Sequence, residues 1–423
     1  MTTTPSAVPP VVAVVDAYSS ARCLAPLFQE RGYACVHVRS APTANASYER
    51  SYRHRDFTGQ VVHRGDAEQT AAAVAEYAPV CVLAGIESGV ELADVLSERL
   101  GLRTNGTALS SARRDKYLMM ETVKAAGVPG TDQLLATDLD TLLDWYKETP
   151  GRVVLKPVRS AGSDSVHFCD DLDQVRRGFH ALIGTRSALH TENSAVLAQE
   201  YLVGAEYIVD TVSLDGEHLV SDIWKMHHLT ANGVSGMAAG AQLLPRHGPE
   251  QEALVEYTFR VLDALGVRHG PAHTELKLTP HGPRLVETAA RVCGADVHIP
   301  VGGAIGRNQL DWTVDAYAEP DRFRPHLGTD YELARHAGIV NMVSPTSGKL
   351  VGYPKMDELH ALESCYDIAL QVRPGDDILR SVDDWSYPLR VYLVHETESV
   401  VMHDILTARH LDGPGFYDIA APS

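Results

Sequence analysis

Two glutamates and an arginine lie close together in residues 272–294, which read AHTELKLTPHGPRLVETAARVCG. Glu275 and Glu287 each fall in a short alternating run, and the Pro- and Gly-rich stretch between the runs predicts a β-hairpin. Arg291 follows Glu287 by four residues. Such a hairpin can direct two hard oxygen ligands and one planar cation toward a metal-bound polyphosphate. The alternative from these residues alone is an ordinary hairpin with solvated acids.

A lysine and a loop of small residues form the second candidate group. Lys156 lies in the apolar run VVLKP, and the loop at 160–165 reads SAGSDS. An unpaired ammonium is costly to bury, so a lysine at the end of a buried strand indicates an anionic partner. The backbone N–H groups of Ser160, Gly162 and Ser163 can contact phosphate oxygens. The loop is not a Walker motif, and a hairpin whose lysine reaches solvent is the alternative.

Charged residues at three further places complete the candidate set. Glu200 and Glu206 flank an apolar link, where strand backbone can contact an adenine edge and a carboxylate can hold ribose hydroxyls. Lys116 lies in a predicted helix rich in basic residues at 112–120. Lys225 ends the run DIWK and is either a phosphate contact or a strand-end charge. Acids beside strands are common, so these residues count only in combination with the others.

The elements that must position these residues begin with strands that alternate with helices. This alternation predicts a parallel sheet covered by helices, a doubly wound domain that extends to about residue 110. Ligands bind at the loops after the strands of such a sheet, so Glu87 in the loop 85–89 is a candidate substrate contact. Neither this loop nor the loop 16–20 has a dinucleotide-binding G-x-G-x-x-G pattern. The predicted strands are 11–15, 33–38 and 80–84, and the predicted helices are 20–31 and 91–100.

The rest of the chain is predicted to have α+β structure. A pattern of strand, loop, strand, helix and strand covers 152–202, and short β-type runs alternate with turns after residue 338. We therefore predict an α/β and α+β protein with three parts. They are an N-terminal Rossmann-like domain at 1–112, a small lid subdomain with the phosphate loop at 113–205, and a large subdomain at 206–423 with the metal and phosphate site and a C-terminal α+β extension.

The composition excludes several classes of protein. The 423 residues are 44% hydrophobic and 22% charged, and the formal net charge is −18. This acidity argues against nonspecific binding to nucleic acid, and no apolar run is long enough to span a membrane. The first apolar run lacks a preceding basic segment and is predicted to be a strand, not a signal peptide. Six scattered cysteines favour neither a disulfide framework nor a zinc site, and they indicate the cytoplasm.

The order of these residues along the chain resembles the ATP-grasp superfamily over about residues 10–330. In that fold two α+β subdomains clamp ATP between antiparallel sheets. The resemblance implies ATP as cofactor with two Mg²⁺ ions held by Glu275 and Glu287, with Mn²⁺ as an alternative ion, and Arg291 facing the γ-phosphate. It also implies residues for the rest of the nucleotide: Lys116 and Lys156 at the α- and β-phosphates, loop 160–165 over the phosphates, Glu200, Tyr201 and Val203 at the adenine, and Glu206 at the ribose.

Details of the hairpin resemble one branch of that superfamily. Many ATP-grasp enzymes have Glu-x-Asn at the second metal-binding acid, whereas here Glu287 is followed by Thr-Ala. The pattern Glu-x-x-x-Arg, the preceding His-Thr-Glu at 273–275 and the segments at 84–102 and 113–119 resemble the L-amino-acid ligases. This resemblance implies a carboxylate–amine ligase that forms an amide through an acyl phosphate and releases ADP and phosphate. We expect small carboxylate and amine substrates, amino acids among them, and a homodimer.

Three residues near the hairpin have open roles at this stage. His273 shares the strand face of Glu275 and either contacts the acceptor amine or packs within the strand. Ala295 is a candidate pocket wall whose small volume leaves room for a larger substrate side chain. Cys293 has no partner near it in sequence that would activate a nucleophile, so we expect it to pack. The alternative functions are a carboxylase-type enzyme that activates bicarbonate and a nucleotide-binding regulatory protein without catalysis.

Overall fold

The computed structural model describes residues 9–149 and 151–420. The first eight residues of the predicted N-terminal domain lie outside the described residues. Pro150 and the last three residues of the predicted large subdomain also lie outside them. No helix in the described part of the chain is both long enough and apolar enough to cross a lipid bilayer.

The N-terminal part is a four-stranded parallel sheet with helices on both faces. Its elements are β1 (Val11–Val15), α1 (Leu24–Glu30), β2 (Ala34–Arg39), α2 (Ala46–Ser51), β3 (Gly59–Val62), α3 (Ala67–Ala75), β4 (Pro79–Ala84) and α4 (Val90–Arg99). The strand order is β3-β2-β1-β4, and β1 pairs in parallel with β2 and β4. Alternate residues of β1 enter the two apolar layers, Val12 and Val14 beside Phe28 and Ala13 and Val15 beside Leu96. The predicted doubly wound domain is confirmed.

The middle part is a four-stranded antiparallel sheet. Its elements are α5 (Lys116–Ala125), β5 (Gln133–Ala136), α6 (Leu139–Glu148), β6 (Val153–Pro157), β7 (His167–Cys169), α7 (Leu172–Leu182) and β8 (Val196–Glu200), with strand order β5-β8-β6-β7. Helices α6 and α7 cover one face, against Val153 and Leu155. The intervening Val154 and Lys156 point to the opposite face, which lines a cavity. Helix α5 packs through Met119 and Met120 on the following part of the chain.

The third part contains an eight-stranded antiparallel sheet. Its elements are β9 (Ala205–Leu214), β10 (Glu217–Ala231), β11 (Val234–Leu243), α8 (Pro249–Ala264), β12 (Gly270–Thr279), β13 (Gly282–Ala289), α9 (His298–Ile305), α10 (Gln309–Ala318), α11 (Pro320–Phe323), β14 (His336–Asn341), β15 (Gly348–Gly352), α12 (Met356–His360), β16 (Cys365–Leu370), β17 (Asp377–Ile378), β18 (Leu389–His395), α13 (Glu398–Leu411) and β19 (Asp418–Ala420). The strand order is β13-β12-β9-β10-β11-β14-β18-β16. The C-terminal residues therefore lengthen the large sheet through three strands, while β17, β15 and β19 form a small separate sheet.

These sheets confirm the predicted fold class of mixed α/β and α+β structure. The two antiparallel sheets enclose a large cavity, and the loops of the parallel sheet reach a second cavity beside it. The predicted domain boundary at residue 112 falls between β4 and α5, and the one at residue 205 falls on the first residue of β9. Both boundaries remain predictions.

Candidate active site

The predicted hairpin forms from β12 and β13, and it sets the two glutamates opposite each other. Glu275 pairs with Glu287 in the antiparallel register, and the register shifts just after this pair. Because side chains alternate along a strand, Glu275 and Lys277 face the large cavity. Leu276 is fully buried on the other face, in the apolar layer that includes Leu254 of α8. The alternating sequence thus fixes which face of the hairpin carries the acids.

Both predicted phosphate-binding lysines come to the same wall as the acids. Lys116 Nζ, at the first turn of α5, donates to Glu287 Oε1 and to the Ser160 carbonyl oxygen, each at 2.8 Å. Lys156 is buried at the end of β6, and burial and the nearby Lys116 ammonium lower its pKa to about 8. The neighbouring ammonium groups of Lys116 and Lys156 favour binding of a polyanion, because a bound phosphate would raise the pKa of Lys156 again.

The phosphate loop is held in a conformation that favours glycine. Gly162 has φ +69°, and a Cβ there would lie 2.8 Å from Trp385 Nε1. That indole nitrogen donates to the Ala161 carbonyl oxygen at 3.1 Å, so a C-terminal residue supports the loop from behind. Within the loop, Asp164 Oδ2 accepts from Ser160 Oγ at 2.5 Å and from the Ala188 N–H at 2.7 Å. Ser163, with φ +57°, lines the cavity beside them.

Charged and aromatic residues also line the large cavity around Glu206. Glu206 lies 3.1 Å from Lys277 Nζ and 3.5 Å from His228 Nε2. Burial opposes ionisation of Glu206, but its contacts with His228 and Lys277 keep its pKa below the ordinary value. Two cations lie near the Tyr201 ring, with Arg152 at 5.3 Å and Lys277 at 5.9 Å from its centroid. A flat ring beside a carboxylate that keeps its charge suits a nucleoside.

The predicted nucleotide contacts differ in their positions. Glu200 lines the cavity, where its Oε1 accepts from the Asp132 N–H at 3.0 Å. Val203 has 67% of its surface exposed, and its side chain does not line either cavity. Lys225 lies on the far face of the sheet, with its Nζ 5.7 Å from the centroid of the Tyr207 ring. The cavity has a volume of about 810 Å³, and its wall includes Lys116, Lys156, Ser160, Gly162, Ser163, Glu200, Tyr201, Glu206, Glu275 and Glu287.

A second cavity, of about 390 Å³, contains the predicted substrate residues Glu87 and Ala295 together with Arg291. Arg291 Nε donates to Glu87 Oε1 at 2.7 Å, and a second guanidinium N–H donates to the same oxygen. Burial alone would raise the pKa of Glu87, but Arg291 lowers it to about 2. Arg291 therefore lies at the smaller cavity as half of a buried ion pair.

The loops of the N-terminal sheet hold Glu87 in this place. Asp16, at the end of β1, accepts hydrogen bonds from the Ser40 N–H at 2.8 Å and from Ser88 Oγ at 2.5 Å. Glycine is required at position 85, because a Cβ there would lie 2.4 Å from the Asp16 carbonyl oxygen. The two loops that follow β1 and β4 are thus joined, and Glu87 projects from the second of them.

His273 belongs to a buried cluster that sequence spacing did not indicate. Its Nδ1 lies 2.7 Å from Asp210 Oδ1, and its Nε2 lies 3.4 Å from Glu275 Oε1. The ligand atoms of Asp210, His273 and Cys293 all lie within 4.8 Å of one another. Cys293 has no histidine near it in sequence, but the fold brings it beside His273, which lies on a different element of the chain. Burial raises the pKa of Cys293 to about 11, so the thiol stays protonated, and the ring joins Asp210 to Glu275.

The two cavities meet at a shared wall. Glu275 lines both of them, as do Gly162 of the phosphate loop and Asp384 and Tyr387 of the C-terminal loop. A group bound in the smaller cavity therefore reaches the acidic and phosphate-loop end of the larger one. Lys277 was detectable from its strand spacing with Glu275, whereas no local pattern marked Asp384, Trp385 or Asp210.

Comparison with known proteins agrees with this geometry. Residues 149–298 match the ATP-grasp domain model. The chain is 30% identical to dapdiamide A synthase of Enterobacter agglomerans over 419 residues, 96% of this chain and 97% of that protein. It is 22% identical to the L-arginine-specific L-amino acid ligase of Bacillus subtilis over 76% of each chain. The crystal structure of an L-amino acid ligase from Bacillus licheniformis superposes with a TM-score of 0.76 at 17% identity, over 96% of this chain and 98% of that chain.

The fold, the lysine–glutamate wall and these relatives define the class. The chain belongs to the ATP-grasp family, whose members bind ATP with a divalent metal ion. Within that family it is a ligase that forms C–N bonds, an ATP-dependent carboxylate–amine ligase. The resemblance inferred from the order of its residues is confirmed.

Proposed function

We propose that this ligase joins an amino acid or an amino-acid-derived carboxylate to an amine through an acyl phosphate. ATP occupies the larger cavity, and the carboxylate and the amine enter the smaller one. The observation that carries the proposal is the shared wall at Glu275, where the acid-rich end of the larger cavity opens on the pocket of Arg291 and Glu87. Transfer between two bound groups requires such a junction, because the reacting atoms must lie about 3–3.5 Å apart.

The hairpin acids fit divalent metal ions. Glu275 and Glu287 face each other across adjacent strands, and carboxylate oxygens are the ligands that Mg²⁺ prefers. We propose that they hold two Mg²⁺ ions, with Mn²⁺ as an alternative. When bound, the ions neutralise phosphate oxygens that would otherwise repel an incoming carboxylate. Glu287 is paired with Lys116 in this structure, so binding of nucleotide and metal exchanges that pair for contacts of each side chain with the ligands.

The side chains of the chain itself then position the reactants. Lys116 and Lys156 bind phosphate oxygens, and loop 160–165 covers the same oxygens with its backbone N–H groups. His273 orients the Glu275 carboxylate, because its Nδ1 is anchored on Asp210. Glu206 holds ribose hydroxyls, and Glu200, Tyr201 and the nearby backbone, to Val203, hold the adenine.

Arg291 supplies a fixed positive charge on the substrate side of the wall. Its guanidinium is held by Glu87 at 2.7 Å and by the Val292 carbonyl oxygen at 2.8 Å. A preorganised planar donor set of this kind can stabilise the transferred phosphoryl group and then the tetrahedral oxyanion. Glu87 thus acts through Arg291, because loss of the ion pair would leave the Arg291 guanidinium without a fixed orientation.

The substrate class follows from the relatives and from the pocket. Two relatives are named for amino-acid ligation, one of them specific for L-arginine, and we propose that amino acids are substrates here as well. Ala295 lines the smaller cavity with a side chain of one carbon, which leaves volume for a larger substrate side chain. Location in the cytoplasm and assembly as a homodimer remain predictions from the sequence, and the six free cysteines suit a reducing compartment.

The direct test is a screen for ADP release. Purified protein, ATP and Mg²⁺ are incubated with all pairs of the twenty L-amino acids and with non-amino-acid carboxylates, and products are identified by mass spectrometry. We expect ADP release that requires both partners and a product whose mass equals their sum less one water. ADP release that needs bicarbonate alone would instead indicate a carboxylase-type activity, and no release with any mixture would indicate a protein without catalysis.

A further inference from the structure

A carboxylate without an assigned role lies at the wall between the two cavities. Asp384 comes from the loop before β18, and its Oδ1 is buried with no hydrogen-bond partner among residues 9–149 and 151–420. Its backbone N–H donates to the Gly162 carbonyl oxygen at 3.3 Å, so the residue is held against the phosphate loop. A buried anionic oxygen that lacks a donor costs free energy unless a ligand supplies one. The side chain therefore indicates a cationic or donor ligand at this wall.

The guanidinium of Arg390 lies next to Asp384 and forms no ion pair in the described part of the chain. Arg390, in β18, donates through Nε to Asn341 Oδ1 at 3.0 Å and through Nη2 to the Asp384 carbonyl oxygen at 3.4 Å. It forms no ion pair with any carboxylate in the described part of the chain, unlike Arg22 of the same cavity, which pairs with Asp296 at 2.7 Å. Arg390 can therefore bind the carboxylate of a ligand in the smaller cavity.

Two unpaired charges of opposite sign on one wall match the two charges of an amino acid. We propose that Asp384 and Arg390 form the subsite of the amine substrate, and that this substrate is an α-amino acid. Its ammonium binds Asp384 and its carboxylate binds Arg390. The inference rests on the ligase function proposed above, because that function requires an amine to approach the activated carboxylate from the smaller cavity. Since Arg390 contacts the backbone of Asp384, both charges belong to one subsite.

The same carboxylate can take the proton that the amine must lose. Burial raises the pKa of Asp384 to about 6, with Arg390 opposing that rise, so the group is ionised at pH 7 and remains a usable base. One ammonium proton passes to Asp384, the nitrogen lone pair forms the C–N bond, and the C–O bond to phosphate breaks. The second proton leaves with the phosphate as hydrogen phosphate, and Asp384 then returns its proton to solvent.

Hydroxylamine separates this subsite from the rest of the reaction. It is a small neutral nucleophile that converts acyl phosphates to hydroxamates without needing contacts to an α-carboxylate or an ammonium. Asp384→Asn is compared with the parent and with Asp367→Asn, which changes an exposed acid on β16. The carboxylate and the amino acid are those that give the fastest ADP release in the screen above. We expect Asp384→Asn to keep hydroxamate formation and to form the amide roughly 30-fold or more slowly, with no change in Asp367→Asn.

Each outcome of that experiment decides a different point. Amide formation by Asp384→Asn at the parental rate would overturn the subsite. Loss of hydroxamate together with amide would place Asp384 in the ATP site or in folding, and would also overturn it. Absence of hydroxamate in the parent protein would refute the acyl phosphate of the proposed function, which is a separate result.

The carboxylate half of the subsite is tested with a second substrate. The parent should use the selected amino acid better than its α-amide by roughly 30-fold in kcat/KM, because only the acid meets the Arg390 charge. Arg390→Met should remove this preference, and Arg390→Lys should restore part of it. If Arg390→Met retains the parental preference for the free acid, Arg390 does not bind the carboxylate.

Discussion

The buried pair of Glu87 and Arg291 makes a quantitative prediction about stability. Burial opposes ionisation of Glu87, but the Arg291 guanidinium, with a smaller contribution from Arg114, lowers its pKa from the ordinary 4.5 to about 2. This shift corresponds to about 3 kcal/mol at about 1.36 kcal/mol per pKa unit. The Glu87 side chain is only 5% exposed, so solvent does not screen the pair. We expect Glu87→Gln to lower the free energy of unfolding at pH 7 by about 3 kcal/mol, since it leaves the guanidinium buried without a counter-charge.

The pH dependence has a defined sign. Because the folded-state pKa of Glu87 lies below the ordinary value, its contribution is complete above about pH 4.5 and is lost as the pH falls toward 2. The difference in stability between the parent and Glu87→Gln should therefore shrink over that interval. Urea titrations at a series of pH values, followed by tryptophan fluorescence, measure both quantities.

A matched variant makes the test selective. Glu91→Gln removes an acid four residues away whose side chain is 37% exposed and pairs with Arg159 at 2.9 Å. Exposed pairs contribute about 0–1 kcal/mol, so this variant should lie close to the parent. Equal stability losses in the two variants, or a loss in Glu87→Gln that stays constant from pH 7 to pH 3, would refute the assignment of a buried, charge-paired Glu87.

Three further predictions concern the active site. Arg291→Lys keeps the charge beside Glu87 but loses the planar donor set, and we expect product formation at least ~100-fold slower with ATP binding retained; unchanged turnover removes Arg291 from the mechanism. Glu287→Gln should abolish magnesium-dependent ADP release, and ADP release that still titrates with Mg²⁺ as in the parent excludes Glu287 as a ligand. Gly162→Ala places a Cβ 2.8 Å from Trp385 Nε1 at φ +69°, so the KM for ATP should rise. The control Gly151→Ala, at a turn with open space around it, should leave the KM for ATP unchanged. Equal KM values for Gly162→Ala and the parent would show that the loop conformation is not needed.

Local chemistry made the nucleotide side of this protein predictable. The alternation of His273, Glu275 and Lys277 with apolar residues, and the Pro- and Gly-rich turn after them, defined both the hairpin and its polar face. The continuous apolar run of β1 likewise predicted a strand buried on both sides. These signals work because side-chain periodicity and turn preferences depend on neighbours within a few residues. The order of the charged residues then identified the family and the ligase class.

The positions of Arg291 and Lys225 became clear only from the folded structure. The resemblance placed Arg291 at the γ-phosphate, and the structure pairs its guanidinium with Glu87, a residue 204 positions away. Lys225 follows a strand pattern that does not by itself say which face meets the nucleotide, and its ammonium lies beside Tyr207 on the far face. The first outcome depends on how the N-terminal sheet packs against the large sheet. The second depends on which face of the large sheet lines the cavity, since Lys225 and Tyr207 lie on adjacent strands.

The sequence by itself determined that strand and helix elements alternate, that two acids face each other on a hairpin, and that an ATP-grasp ligase results. Tertiary structure alone decided how Asp210, His273 and Cys293 come together and how Trp385 supports the phosphate loop. It also decided that Asp384 Oδ1 is buried without a hydrogen-bond partner in the described part of the chain. The physical reason is that local patterns encode the face on which a side chain lies. Whether that side chain becomes buried, paired or left without a partner depends on residues that only long-range packing brings beside it.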